Sequence, residues 1–249
     1  MSAKEIFETV KTLVIAGLAA MFIHSFLFAP FWIPSGSMVP TLLVGDYLFI
    51  NKFAYGFSRY SLPFAPDLWS GRIGGHAPRR GDVVVFVSPS GSGEVLVKRI
   101  VGLPGDTVQI SNGLLYINGA LVPRAEEGSY VDDSDGGPVV GERFAETLPN
   151  GRVHDILKLS DAPEVYGGVD ANNTPVYTVP PGDYFMLGDN RDNSEDSRFL
   201  DGPVGFVPAA NLLGPAVMVL GSMDVQAPGW AFWEWPFELR YNRFFTWVR

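Results

Sequence analysis

From Leu13 to Ile33 the chain runs 21 residues without an Asp, Glu, Lys or Arg, then passes directly into Pro34, Ser35, Gly36, Ser37 and Met38. A helix of that length rises about 30 Å, the thickness of a bilayer's hydrocarbon core. The reading is a transmembrane anchor over residues 12–33 behind a short tail, 1–11. Two hydroxyls then sit on a Pro/Gly-bent turn where the span meets water. A cleaved secretory signal is the competing reading, since Leu13 to Ile23 alone has a suitable apolar length. Against it, the apolar character resumes after His24 and Ser25, and no A-x-A site lies at a suitable distance. Lys4 and Lys11 precede the run and no cation follows until Lys52. The positive-inside rule then leaves the amino terminus in the cytoplasm and the bulk of the chain outside.

Beyond the anchor there is enough chain for one sizeable globular unit or two small ones. The formal net charge of -9 argues against nucleic acid, which demands a basic face. With no cysteine, disulfides, thiolate catalysis and Cys-ligated zinc are excluded. The three histidines, at 24, 76 and 154, fall near no metal or triad motif, so no metal and no cofactor is expected.

Short β-branched and aromatic runs alternate with Gly, Pro and Asn-Gly punctuation, the pattern of a mainly β, antiparallel domain. Strands are expected at Tyr47 to Asn51, Asp82 to Val87, Val95 to Val101, Thr107 to Ile110, Leu114 to Ile117, Tyr184 to Leu187 and Ala216 to Leu220. Asn112-Gly113 and Asn118-Gly119 bracket one of these with hairpin turns that need positive φ. Residues 34–120 and 179–220 read as a β core. Residues 121–178, rich in Gly, Asp, Glu and Asn with weak periodicity, read as an elaborated β-rich insertion lobe. Residues 221–249 form an aromatic carboxyl-terminal segment, with Trp230, Phe232, Trp233, Trp235, Phe237, Phe244, Phe245 and Trp247, suited either to a membrane interface or to ordinary packing.

A serine nucleophile needs a base, and a lysine serves when burial disfavours its charged form. Lys98, in Val95-Leu96-Val97-Lys98-Arg99-Ile100-Val101, shares a strand face with Leu96 and Ile100. Its bland alternative is an edge-strand lysine that discourages aggregation. The loop from Gly188 to Arg198 is dense in Asp, Asn, Ser and Arg, residues that lock loops by hydrogen bonds and ion pairs. Its carboxylates also suit a calcium loop, but the spacing departs from the EF-hand and Arg191 and Arg198 oppose a cation.

Together these segments resemble the bacterial type I signal peptidases, membrane-bound Ser/Lys proteases that remove signal peptides from exported preproteins. The matching residues are Pro34 to Leu42, Gly45-Asp46-Tyr47 through Lys52, Arg80 to Phe86, Lys98 to Asp106, Gly188 to Arg198 and Gly205-Phe206-Val207-Pro208. The resemblance implies Ser37 as nucleophile and Lys98 as general base. It implies Ser35, with the backbone N–H of Ser37, as oxyanion hole, and Ser194 as a hydrogen-bond partner orienting the amine. Asp196 and Arg198 would form an ion pair shaping the loop, with Asp189 and Arg99 as structural support. Phe31, Ile33, Met38, Leu42 and Val97 would wall small pockets for an extended small-x-small peptide laid beside residues 31–35 and 95–98. The implied partners are signal peptides and the lipid bilayer, and the implied site is the outer side of a bacterial cytoplasmic membrane. Many relatives carry a further amino-terminal span, and nothing in 121–178 matches a function. A membrane-tethered β-sheet binding module, with Ser37 and Lys98 incidental, is the rival from another class.

Overall fold

The computed structural model describes residues 3–22, 28–62, 65–66, 69–132, 139–159, 165–166, 168–224 and 238–249. One helix, α1 (Ala3–Phe22), precedes β1 (Phe28–Trp32) and β2 (Asp46–Asn51). Next come β3 (Val83–Val87), β4 (Val95–Gly102), β5 (Thr107–Ser111), β6 (Leu114–Ile117) and β7 (Ala120–Leu121). The lobe supplies β8 (Arg124–Asp132), β9 (Val139–Thr147), β10 (Val153–Lys158), β11 (Val165–Tyr166), β12 (Val169–Asp170) and β13 (Tyr177–Thr178). The chain returns through β14 (Asp183–Leu187), β15 (Val207–Pro208), β16 (Leu212–Ser222) and β17 (Thr246–Trp247).

All pairings between these strands are antiparallel. The main sheet has the order β1-β2-β16-β3-β4-β14-β15, with β17 added on β16. β5, β6, β7 and β13 make a second sheet, and β8, β9 and β10 a third. The seven strands expected from the sequence all occur, with ends displaced by at most a few residues. Asn112 and Asn118 have φ of 49° and 52°, the left-handed conformation that the two hairpin turns demand.

The apolar run does not form one helix. α1 stops at Phe22, and Phe28–Trp32 is a strand whose residues pair with Asn51 to Tyr47 of β2. Pro30 explains the change: it cannot donate a helical hydrogen bond, but an edge strand tolerates it, and β1 is the sheet's edge. Lys4, Glu5, Glu8 and Lys11 occupy the first half of α1, so no described helix is long and apolar enough to cross a membrane. The side chains from Lys4 to Gly17 are all exposed, Leu13, Val14 and Ile15 among them.

Three apolar clusters make the core. One joins β2 and β4 to the segment between β1 and β2 through Ile33, Met38, Leu42, Leu48 and Val97. A second packs Tyr55, Val84, Phe86, Ile100, Met186 and Leu212 against the opposite face of β3 and β4. The third cements the second sheet to the first through Val101, Val108, Leu115, Tyr177 and Phe185. The carboxyl-terminal segment is tied to the loop after the turn by Arg243, whose guanidinium donates to Asp46 (2.9 and 2.5 Å) and to the Thr41 carbonyl (3.1 Å). Of the expected interfacial aromatics, Trp230 to Phe237 lie outside the described residues. Phe244 packs near Gly221, whereas Phe245 and Trp247 are exposed.

Phe185 is fully buried between the rings of Tyr177 (5.5 Å between centroids) and Phe206 (6.1 Å). Truncating such a ring leaves a cavity the surroundings only partly refill. Phe185→Ala is therefore expected to cost about 3–5 kcal/mol of unfolding free energy, read from chemical denaturation; a loss under 1 kcal/mol would contradict the packing described.

Candidate active site

The turn after β1 is a single 3-10 turn, Gly36–Met38, held mainly by a Val39 N–H bond to the Gly36 carbonyl (3.1 Å). Met38 and Leu42 are fully buried in the core beneath it, which leaves the Ser37 side chain facing β4. There Lys98 Nζ donates to Ser37 Oγ at 2.5 Å, and both residues are over 90% buried. Burial pushes the Lys98 amine down to about 8, although Asp196 pulls the other way; Arg198 offsets part of that pull. The amine and hydroxyl are thus paired in a setting where the neutral amine is accessible near physiological pH.

Ser35 Oγ lies 3.5 Å from Ser37 Oγ, and the Ser37 N–H makes no hydrogen bond among the described residues. Two donors are therefore available beside the Ser37 hydroxyl, an arrangement that suits an oxyanion.

Adjacent residues of β4 face different partners. Arg99 makes a bidentate pair with Asp189 (2.7 Å for both contacts) and donates to the Gly81 carbonyl (2.8 Å); Thr41 also donates to Asp189 (2.5 Å). Burial alone would raise the Asp189 carboxyl, but Arg99 holds it below the usual carboxylate value. Asp196 pairs with Arg198 at 2.8 and 2.9 Å and accepts the Gly188 N–H at 3.0 Å. Its carboxyl too is kept low by its arginine against the effect of burial.

Gly188, where β14 enters this loop, has no room for a side chain: a Cβ would collide with the Ser194 hydroxyl and lie 2.6 Å from the Ser37 carbonyl oxygen. Ser194 lies within the site, yet its buried hydroxyl has no hydrogen-bond partner among the described residues and is not bonded to the Lys98 amine. Lys98 reaches Ser37 instead, and the close approach of Gly188 sets where Ser194 can lie.

A cavity of about 430 Å³ opens over the pair, lined by Ser35, Ser37, Glu94, Leu96, Lys98, Ser194 and Glu195 among others. The expected pocket walls do not line it. Ile33, Met38 and Leu42 are fully buried and Val97 is 6% exposed, all in one core cluster that Phe31 packs against. The resemblance named them as walls; here their side chains pack in the core beneath the cavity. Leu96, one residue from Val97 and on the other strand face, reaches the groove instead. Asn190 was also missed: its backbone N–H donates to the Ser37 carbonyl (3.1 Å) and its Nδ2 to that of Gly36 (3.2 Å). No sequence pattern distinguishes it from the other polar residues of its loop.

β4 pairs with β3 from Val95 to Arg99, but β14 covers its other side only at Arg99, Ile100 and Gly102. Residues 95–98 consequently offer an open strand edge beside Ser37 among the described residues.

Residues 6–221 match the signal peptidase family, peptidase S26. The chain is 42% identical over 208 residues to the signal peptidase I of Rickettsia typhi and to that of Rickettsia prowazekii, alignments that cover 83% of this chain and 76% of each relative. A solved structure of a signal peptidase I from Enterococcus faecalis is 30% identical, covering 56% of this chain and 97% of that one, with a TM-score of 0.32. The family match takes in every segment that builds the serine–lysine site, and this chain belongs to the signal peptidase family, peptidase S26.

Proposed function

We propose that this protein removes signal peptides from exported preproteins, with Ser37 as nucleophile and Lys98 as general base. The observation that carries the assignment is the 2.5 Å contact between Lys98 Nζ and Ser37 Oγ in a buried setting. In the forward step Ser37 Oγ attacks the scissile carbonyl carbon while its proton passes to Lys98. The Ser37 N–H and the Ser35 hydroxyl meet the developing oxyanion, each such donor contributing about 3 kcal/mol. Collapse of the tetrahedral species delivers the proton from Lys98 to the leaving amine and leaves the signal peptide esterified to Ser37. Water, deprotonated by the same amine, then releases it.

Specificity follows from the open edge of β4. A peptide added there as a strand places alternate side chains on one face. Two small residues separated by one, the small-x-small pattern, are thus the two that face the enzyme together. Arg99–Asp189 and Asp196–Arg198 hold the walls of the site rather than take part in proton transfer. The amino-terminal segment holds the enzyme at a bacterial cytoplasmic membrane with the β domain outside. Supporting this are the exposed Leu13, Val14 and Ile15 of α1 and the positive charges Lys4 and Lys11 ahead of them. Sharing a bilayer with the apolar part of its substrate raises the effective concentration of both.

Ser37→Ala and Lys98→Ala are each expected to lower preprotein cleavage by at least about a thousandfold, followed by gel shift of a preprotein; a variant that still cleaves at a tenth of the wild-type rate would refute that residue's role. Because the neutral amine is the active form, kcat/KM should rise about tenfold per pH unit below a midpoint near 8 and level off above it. A profile flat from pH 6 to 10, with chemistry limiting, would remove Lys98 as the base.

The same burial makes Lys98 a stability liability. Its folded-state pKa lies below its unfolded value, so the cost is fully present below about pH 8 and disappears as pH rises towards the unfolded value. Lys98→Met is expected to stabilise the inactive protein by about 2–3 kcal/mol at neutral pH, the gain shrinking between pH 8 and 10.5. Thermal denaturation across that range measures it, and an equal gain at every pH would contradict the cause.

A further inference from the structure

The lobe formed by β8, β9 and β10 grips four consecutive residues of the active-site loop. On β10, Leu157 donates its N–H to the Asp189 carbonyl (2.8 Å) and accepts the Arg191 N–H (2.9 Å), so Asn190 is bracketed on both sides by one lobe residue. On β9, Glu146 receives a bidentate contact from Arg191, Nη1 to Oε1 at 3.0 Å and Nη2 to Oε2. Glu146 is 1% exposed and Arg191 5%. Asp192 in turn accepts from Lys158 Nζ (2.6 Å) and the Leu159 N–H (2.8 Å). The ring of His154, opposite Glu146 in the β9–β10 ladder, fills the space between Glu146 (3.5 Å) and Asp189 (4.0 Å).

What the lobe holds is the residue that holds the nucleophile. Asn190 donates to the carbonyls of Ser37 and Gly36, while its own Oδ1 has no partner among the described residues. The Gly36–Met38 turn is a single turn, contains a glycine, and gets no capping bond from the Ser35 side chain. Such a short turn has little stability of its own. Its two carbonyl anchors to Asn190 fix the direction in which Ser37 leaves the backbone.

We propose that the lobe is a positioning clamp for the catalytic serine: Glu146, through Arg191, locks the 189–192 loop so that Asn190 holds Ser37 Oγ at Lys98. This rests on the assignment of Ser37 as nucleophile. Asn190 and Glu146 are positioning residues, because neither touches the reacting atoms. A scaffold that merely added stability would not need a buried ion pair aimed at this loop, since an apolar contact of the same volume serves stability as well or better.

The test compares Asn190→Leu, Glu146→Gln and their combination in the full chain. All are assayed with a preprotein well below their melting temperatures, beside wild type and Ser37→Ala. Asn190→Leu keeps the shape and the backbone N–H and deletes one donor. It is expected to lower kcat about ten- to a hundredfold with KM within about twofold and the pH midpoint unchanged. Glu146→Gln should lower kcat in the wild-type background and by a clearly smaller factor when Asn190 is already Leu, because one of the two bonds through which it acts is then gone and only the backbone bond to the Ser37 carbonyl remains. Unchanged kcat in either folded variant, or effects that simply multiply, would overturn the clamp. If Asn190→Leu fails to fold, the kcat of Glu146→Gln alone decides. A wild type that fails to cleave, or a Ser37→Ala that cleaves, instead defeats the assignment on which the clamp rests.

Discussion

The site depends on keeping one ammonium out of water without giving it a counter-ion. A fully buried lysine would ordinarily recruit the nearest carboxylate and stay charged, which would rule out the role proposed for it as a base. Asp196 is that nearest strong influence, yet both its oxygens are already committed to Arg198 and to the Gly188 N–H. The ion pair presents Lys98 with two opposed charges rather than one attractive one, and burial then dominates. Asp189 is occupied in the same way by Arg99 and Thr41. Arg198 of the loop and Arg99 of β4 therefore act on the amine by satisfying the carboxylates around it.

Strand geometry makes this arrangement possible. β4 sends Lys98 to Ser37 and Arg99 to Asp189, so one strand positions the base and anchors the loop that surrounds it. β14 delivers Gly188 at the point where the loop must pass the Ser37 carbonyl, and only a residue without Cβ permits that approach. Because β14 ends its pairing at Arg99, the edge of residues 95–98 stays free among the described residues, where the proposed substrate strand would lie.

How much of this was legible in the sequence differs by element. Strands with one buried face, such as β5 and β6 between Asn-Gly turns, announce themselves by alternation, as does β3 by its run of buried valines. The lobe strands β8 and β9 do not: residues from Arg124 to Val131 are exposed or half-buried, so no apolar period marks them. The apolar run misled because hydropathy cannot tell a helix from a buried strand, and Pro30 was the cue that the last part was extended. Within the site, Ser37 and Lys98 were legible through their motifs, and Asp196–Arg198 and Asp189–Arg99 came out as paired. Ser194 stands beside the pair without a hydrogen bond to Lys98, and the apolar residues named for the pockets lie in the core beneath the cavity. Local order does not reveal such positions, because it cannot tell which of two neighbouring side chains takes the one available direction.

Buried polar groups concentrate around the turn and the loop rather than across the sheets. Arg99, Asp189, Arg191, Glu146, Asp196 and Arg198 are each at most 5% exposed, and every one is paired. Such pairs seldom raise stability above that of an apolar core of equal volume, but each fixes direction and distance in a way apolar contacts do not. On the proposed assignment the serine–lysine pair needs just that, since among the described residues the Lys98 amine has no side-chain hydrogen bond other than that to Ser37. In triads a carboxylate aims the histidine; here the aim comes from a rigid strand on one side and a loop, itself pinned from behind by β9 and β10, on the other. On the proposed assignment the accumulation of buried charge is the cost of orienting the Ser37–Lys98 pair, with the sheets supplying the stability that the site gives up.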